Sequence, residues 1–420
     1  MSSHKQLSIG LFGFGVVGEG IYHVLNEIPS LHASIKKICI KHPDKKREAP
    51  APLFTTAYDE LLNDPDINLI VELIDDADEA YKIVTTALRN KKSVVSANKK
   101  MIAEHLTELL HLQRENKVSF LYEAAVCGSI PVIRNLEEYY DNDLLQSICG
   151  IVNGSTNFIL TKIADEGLSY KDALLKAQQL GFAESNPALD VEGVDAVNKL
   201  TILLAHAYGV ISSPAELLHI GINRLHERDA VYAAEKGYRV KLTAQAYKLS
   251  SSKVASFVLP QFVKEESQLF NVKNEYNGVI IESKLADKQF LYGKGAGRYP
   301  TSSAVISDIS ALSYNYKYEY KKLNRTEKYS LANDYYLKVY VSFNELWEVS
   351  KWDFEEVNEF YSTAERNYLT GLIHIEKLKE ASWFKNPAVS VVLLPNAIVE
   401  KESLLTSSLK KVSLQLAGVN

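Results

Sequence analysis

Hydrophobic positions along the chain follow two successive regimes. In the first third, short apolar runs alternate with stretches of helical period. The runs are Leu7 to Leu11, Ile35 to Ile40, Ile67 to Ile74 (INLIVELI), Ser93 to Ala97 (SVVSA) and Val118 to Val126. Between them the spacing predicts helices reaching to about Asn26, from about Asp78 to Arg89, and from about Ala103 to Asn116. Continuous apolar strands separated by helices predict a doubly wound parallel sheet, with ligands at the carboxyl ends of the strands. A strand at Ile148 to Val152 and a helix at Phe158 to Asp165 follow. The pattern then changes to alternating segments, Tyr238 to Tyr247, Val254 to Val263, Gly278 to Leu285 and Gln289 to Tyr292, which predict an open, largely antiparallel sheet. The tyrosine- and lysine-rich stretch from Tyr314 to Lys328 reads as a boundary. Beyond it the pattern predicts a strand (Tyr335 to Val341), a helix (Glu355 to Ser362), two strands (Tyr368 to Ile375 and Ala388 to Leu394) and a final helix, a small α+β module. The expected class is therefore α/β. Its domains are expected at 1–140 (completed by about 300–318), 141–300 and 325–420.

The first strand runs into Gly13-Phe14-Gly15-Val16-Val17-Gly18 and then a helix. In a strand–turn–helix context this GxGxxG has a mechanical reading. Gly13 permits the tight turn, Gly15 lets backbone approach a pyrophosphate, and Gly18 lets helix and strand pack, with the helix N-terminus favouring the anion. A Rossmann-type dinucleotide domain is predicted. The second strand ends at Lys41-His42-Pro43-Asp44-Lys45-Lys46-Arg47 rather than at a carboxylate, which favours the 2′-phosphate of NADP over the bare ribose of NAD. A solvated basic loop is the competing reading. Asp75-Asp76 and Asn98-Lys99 fall at strand ends, so Lys99 is expected near the reactive end of the nucleotide. Gly293 to Ser303 is a second glycine loop entering a helix, Ala304 to Leu312, and Gly297 within it could return the chain to the nucleotide.

The densest chemistry lies in Gly181 to Tyr208, GFAESNPALDVEGVDAVNKLTILLAHAY. Glu184 and Asp190 sit in a turn-forming loop, and Asp195 and Lys199 are four apart on one helix face. From Thr201 the helix is apolar nearly all round, so it reads as buried. A lysine near the start of a buried helix sits against the positive end of the dipole, so something must justify it. A simple Asp195–Lys199 pair is the bland account; the two extra carboxylates favour a catalytic lysine. Asn153-Gly154-Ser155-Thr156-Asn157, between a strand and a helix, is denser in polar residues than capping needs and reads as a ligand loop.

Bulk properties exclude other classes. The chain has 420 residues and a net charge of −5 with both signs interspersed, so it carries no polyanion-binding signature. Its first residues lead directly into a strand, and no apolar run is long enough to span a bilayer. The 3 cysteines, Cys39, Cys127 and Cys149, lack metal-ligand spacing and read as buried thiols of a cytoplasmic protein.

The ordered motifs GFGVVG (13–18), VELI (71–74), VVSANK (94–99), YEAAV (122–126), VNGSTNFIL (152–160), GFAE (181–184), DVEGVDAVNKL (190–200) and GAG..PT (295–301) together resemble homoserine dehydrogenase. The resemblance covers about Leu7 to Leu312. It implies reversible NAD(P)H-dependent reduction of aspartate 4-semialdehyde to homoserine, in the biosynthesis of threonine, methionine and isoleucine. It further implies Lys199 and Lys99 as catalytic lysines with Asp195 one turn from Lys199, and Glu184 and Asp190 holding the amino acid or a water beside Gly154 and Ser155. Glu123 with the backbones of Val126, Gly128 and Ile130 resembles the family's site for a monovalent cation, Na+ or K+. A homodimer or homotetramer is implied. The chain departs from the family at Asp75-Asp76, where small residues are usual, at Asn186, often Asp, and at Cys127 and Ser129. Its C-terminal module sits where many bacterial members carry an ACT domain, but its first turn, Ser342-Phe343-Asn344-Glu345, lacks the Asp-x-Pro-Gly loop that marks effector binding. The rival readings are a semialdehyde dehydrogenase working by acyl transfer, which needs a cysteine nucleophile, and a non-catalytic nucleotide sensor.

Overall fold

The computed structural model describes residues 5–250 and 252–402. The chain divides into two compact units. The first comprises the described residues up to Leu145, Asn198–Glu216 and Leu291–Lys328. The second comprises Gln146–Val197, Leu217–Phe290 and the described residues from Tyr329 onward.

The first unit contains a six-stranded parallel sheet in the spatial order Phe54–Thr55, Ala33–Cys39, Leu7–Phe12, Leu69–Glu72, Ser93–Ser96, Phe120–Leu121. The order reverses beside Leu7–Phe12, the place where a doubly wound sheet opens a crevice for a dinucleotide. Ile9, Leu11, Leu69, Ile70, Val71, Val94 and Val95 are fully buried, as strands covered on both faces require. Helices Val16–Glu27, Ala77–Arg89 and Lys99–Asn116 alternate with the strands. Asp76 starts the second of these, its carboxylate accepting from the backbone N–H groups of Asp78 and Glu79 at 3.0 Å each. Helix Arg298–Ser313 belongs to this unit and packs on Val16–Glu27. Gly20 allows the approach, since a Cβ there would lie 2.5 Å from Ser302 Oγ.

The second unit is built on an eleven-stranded sheet. Its main path runs Asp287–Lys294, Tyr276–Ser283, Leu145–Ile151, Arg239–Lys248, Lys253–Val263, Ser390–Glu400, Tyr335–Phe343, Asn367–His374, Phe354–Ser362. The C-terminal strands share its core: Phe257 and Leu259 cluster with Leu337, Val339, Val341 and Leu393. Ser390–Glu400 joins Lys253–Val263 through a parallel contact of Gln261 with Leu393.

Two expected elements take other forms. The helix expected at Glu355 to Ser362 is a strand, Phe354–Ser362, antiparallel to Asn367–His374. As the outermost strand it is exposed along nearly its whole length, so its polar sequence lacks the alternation that marks a half-buried strand. The run Val118 to Val126 is a strand only at Phe120–Leu121; Ala124–Cys127 is a helical turn, reached through Glu123 at φ −52° and ψ −38°. The expected final helix lies largely outside the described residues. The stretch Tyr314 to Lys328, expected as a boundary, carries Tyr318 and Tyr320 into the core of the first unit, where Tyr318 packs edge-on against Tyr122 and His206 and Tyr320 lies tilted against His206.

In the second unit the loop before the long helix Val194–Tyr208 is pinned by Gly221. Any Cβ at Gly221 would collide with the carbonyl of Val191 and would lie 2.5 Å from the Glu192 backbone. Gly221→Ala is expected to cost about 3 kcal/mol by overpacking, read as a lower urea midpoint, and a midpoint equal to the parent's would contradict it.

Candidate active site

The glycine turn has the geometry its spacing predicts. Gly13 adopts φ +93° and its N–H donates to the Cys39 carbonyl at 3.1 Å. A Cβ at Gly18 would collide with the Gly13 carbonyl, so glycine is required where helix meets turn. At Gly15 an added Cβ meets nothing within 4 Å. Open backbone at the N-terminus of Val16–Glu27, with Val16 58% exposed, is a cradle that fits a pyrophosphate. Phe14 turns inward against Tyr22 and Phe54. Gly297, at φ +118°, starts helix Arg298–Ser313, whose Arg298 pairs with Glu19 at 3.0 Å and whose Ser302 hydroxyl donates to the Val17 carbonyl at 3.1 Å. The second glycine loop thus returns to the first helix of the nucleotide turn.

Past the second strand Lys41 is exposed, and the basic loop folds over a cavity of about 520 Å3 lined in part by Pro43, Lys45, Arg47 and Phe54. Arg47 donates to the carbonyls of Lys45 (2.6 Å) and His42 (2.7 Å), and its guanidinium lies 5.6 Å from the Phe54 ring centroid. Arg47 is thus held by its own loop, while Lys41 to Lys46 stay exposed. The backbone N–H of Glu79 holds the Asp76 carboxyl below the usual range, with those of Asp78 and the charge of Lys41 adding to it.

Asp75 and Lys99 stand one residue beyond a buried knot that the motif reading left without a role. Glu72 is fully buried and accepts from Ser96 Oγ (2.5 Å) and the Ile74 N–H (2.7 Å). Asn98 caps helix Lys99–Asn116, its Oδ1 accepting from the Met101 N–H at 3.0 Å while its Nδ2 donates to the Ile74 carbonyl at 3.1 Å. Burial pushes the Glu72 carboxyl up to about 7. The bond from Asn98 to Ile74 ties two strand ends together, with exposed Asp75 following one and half-buried Lys99 following the other.

In the second unit the ligand loop becomes a clamp. Asn153 caps helix Gly154–Glu166, its Oδ1 accepting from the Thr156 N–H at 2.9 Å. Its Nδ2 donates to Asp190 Oδ1 at 2.7 Å and to Asp195 Oδ2 at 2.9 Å. One amide thus gathers two carboxylates nine-tenths or partly buried, and it is the residue that motif reading underrated. A strand end followed by an Asn and a small residue was the available signal. Gly154 lets this turn sit against the Glu275 carbonyl, 2.7 Å from where a Cβ would be. The Ser155 hydroxyl donates to the Phe182 carbonyl at 2.5 Å. Asn157 fastens the same loop from beneath. Its Nδ2 donates to the carbonyls of Val272, Asn274 and Tyr276, and its Oδ1 accepts from Lys241 Nζ at 2.9 Å. Lys241 is 1% exposed, and burial pulls its amine down to about 7.

Asp195 and Lys199, four apart on Val194–Tyr208, are 6% and 8% exposed, so the lysine is buried one turn from its carboxylate. Glu184 is exposed, and Asn186 Oδ1 accepts from the Ala188 N–H at 3.3 Å, a local turn function for the departure at that position. Glu123 is buried, with its two oxygens accepting from the N–H groups of Ile133 and Arg134 at 2.9 Å each. Burial, and then the charge of Asp308, push its carboxyl up to about 8. Beside it Gly128 adopts φ +52°, and the Ile130 N–H donates to the Cys127 carbonyl at 3.0 Å. Burial raises the Cys149 thiol to about 12, unsuited to the nucleophile an acyl-transfer enzyme needs. Among the described residues no helix is long and apolar enough to cross a membrane.

Fold and site together define an oxidoreductase dependent on a nicotinamide dinucleotide. The first unit supplies the nucleotide turn, and the second a buried amide–carboxylate cluster suited to a small polar substrate. Family models agree: residues 13–123 match "Homoserine dehydrogenase, NAD binding domain" and residues 131–310 match "Homoserine dehydrogenase". A homoserine dehydrogenase of Bacillus subtilis (strain 168) is 36% identical over 320 residues, 74% of each chain. A homoserine dehydrogenase structure from Thiobacillus denitrificans superposes with a TM-score of 0.82 at 27% identity, covering 93% of this chain and 98% of that one. A hyperthermophilic archaeal homoserine dehydrogenase mutant, solved in complex with NADPH, matches at a TM-score of 0.62 and 25% identity over 74% of this chain and 99% of that one. The chain belongs to the homoserine dehydrogenase family.

The clamp generates a direct expectation. Asn153→Ala should lower kcat/KM on the order of 10²-fold by freeing both carboxylates, and cost about 1 kcal/mol through the lost cap. Asn153→Asp keeps a capping oxygen but cannot donate, so activity should fall while the cap is retained. Steady-state kinetics alongside thermal unfolding check both, and a fully active Asn153→Asp enzyme would refute the clamp.

Proposed function

We propose that Lys199 is the proton donor and acceptor in reversible reduction of aspartate 4-semialdehyde to homoserine. The observation that carries this is a buried ammonium position one turn from Asp195, itself fixed by Asn153. The bound nicotinamide supplies the hydride. Negative charge that develops on the aldehyde oxygen during reduction would be stabilised by the Lys199 ammonium, which would deliver the proton that completes the alcohol. In the reverse direction the neutral amine accepts the hydroxyl proton. Asp190 and Glu184 hold the ammonium group of the substrate or an ordered water, and the backbone at Gly154 and Ser155 flanks it. Lys99 assists at the nicotinamide end, with Asp75 at the neighbouring strand end.

The preferred cofactor in this proposal is NADP. Lys41, Lys45 and Arg47 supply cations where the 2′-phosphate is expected, and the stacked, hydrogen-bonded Arg47 favours an ordered phosphate site. A monovalent cation, Na+ or K+, is proposed at Glu123 with the carbonyls of Val126, Gly128 and Ile130. Two carboxyl groups, Glu123 and Asp308, share that buried region with Arg134, and a bound cation would favour the ionised form of Glu123. The division into a cofactor domain, a substrate domain and an ACT-like C-terminal domain belongs to the same proposal. A homodimer or homotetramer is also proposed, supported by Trp347 and Trp352, 81% and 92% exposed beside the edge strand Phe354–Ser362.

Lys199→Ala is expected to lower kcat about 10³-fold with NADPH binding unchanged, read by single-turnover kinetics and fluorescence titration. Near-normal turnover in that variant would overturn the assignment. Lys45→Glu with Arg47→Glu should raise KM for NADPH on the order of tenfold or more and leave KM for NADH unchanged. An equal change for both cofactors would count against the 2′-phosphate reading.

A further inference from the structure

The first unit holds a second cavity, of about 400 Å3, that the dinucleotide reading does not use. It opens at the amino-terminal edge of the parallel sheet, against Leu7, Ser93, Val118 and Ser119 at or just ahead of their strands. The glycine turn follows the carboxyl end of Leu7–Phe12, so the two sites occupy opposite edges of the sheet.

The rim is basic. Lys5, Arg114, Lys117 and Lys317 line the cavity with a single carboxylate, Glu319, which pairs with Lys317 at 3.4 Å. Among the described residues no carboxylate lies within ion-pair distance of Lys5, Arg114 or Lys117. Arg114 and Lys117 stand at the C-terminal end of Lys99–Asn116, where cations also suit the helix dipole. Lys5 and Lys317 come from other elements, so the dipole does not account for the convergence. Like charges gathered around a concave, partly apolar floor focus a positive potential, which an anion offsets. Leu312 and the buried rings of Tyr318 and Tyr320 make that floor.

The same wall is wired to the helix that carries Lys199. The Tyr320 N–H donates to Glu137 at 3.0 Å, and the other Glu137 oxygen meets His206 Nδ1 at 2.7 Å. The Tyr320 hydroxyl bonds Tyr122 at 2.8 Å, and Tyr122 meets His206 Nε2 at 2.9 Å. Lys322, two residues on, donates to the His206 carbonyl at 2.8 Å. His206 is fully buried in Val194–Tyr208.

We propose that this cavity binds a small polyanion, phosphate-bearing or polycarboxylate, and that its occupancy changes turnover through the Tyr320–His206 contacts. Binding is independent of the catalytic role given to Lys199; only the turnover readout rests on that reading. The test titrates enzyme saturated with NADP+, so that the cofactor's own phosphate subsites are filled, with tripolyphosphate and separately with citrate by calorimetry. Saturable binding of one anion per chain by either probe is expected, weakened about tenfold or more by Arg114→Gln with Lys117→Gln. Both residues are exposed, so the unliganded melting temperature should hold. Lys45→Gln with Arg47→Gln should leave this binding intact. In the parent enzyme kcat should shift at saturating anion, and the shift should vanish in the Arg114/Lys117 variant. Absence of saturable binding with both probes, binding that survives loss of Arg114 and Lys117, or an unchanged kcat at saturation overturns the proposal.

Discussion

Two carboxylates held by one amide are the constraint around which the second unit's site is built. Asp190 and Asp195 would repel one another in a partly buried loop, and Asn153 offers each an N–H at 2.7 and 2.9 Å. The bond to Asp195 ties the strand Leu145–Ile151 and the helix it feeds to the start of Val194–Tyr208. The rest of the loop serves the same end. Gly221 lets the Val191–Glu192 backbone close in, and Asn157 with Lys241 anchors the ligand helix to Val272–Tyr276. Satisfied buried polar groups of this kind set one geometry, because each alternative leaves a donor or acceptor unpaired.

The first unit solves a similar problem with different chemistry. Glu72, Ser96, Asn98 and the Ile74 backbone knot adjacent strand ends, so Lys99 begins its helix from a defined position. Burial raises the Glu72 carboxyl to about 7. The cost of burying it is offset by two accepted hydrogen bonds, one from the Ser96 hydroxyl and one from the Ile74 amide. Further along, Tyr122, Glu137, His206 and Tyr320 form a second satisfied network that holds the helix of Lys199 against the core of this unit.

Two of the residues that depart from the family's usual pattern find local explanations. Asp76 is a helix cap, and Asn186 makes a turn contact with Ala188. Neither needs a ligand to justify it. Asp75 remains exposed beside the Ile74–Asn98 tie.

Chain order alone carried the parallel sheet, the glycine turn and the Asp195–Lys199 helix, because each rests on local spacing: strand runs, φ-permissive glycines, or a four-residue helical step. The nucleotide turn in particular was readable because Gly13 needs a positive φ and Gly18 has no room for a Cβ, while Gly15 leaves the backbone open. The edge strand Phe354–Ser362 was not readable, since a strand exposed on both faces loses the period that identifies it. Nor was the inward turn of Tyr318 and Tyr320, whose partners Tyr122 and His206 lie far away in sequence. Local spacing determined which residues could do chemistry. Which of them meet, Asn153 with both Asp190 and Asp195, Glu72 with Ser96, was decided only by tertiary structure, because a hydrogen bond between residues dozens of positions apart leaves no period in the chain.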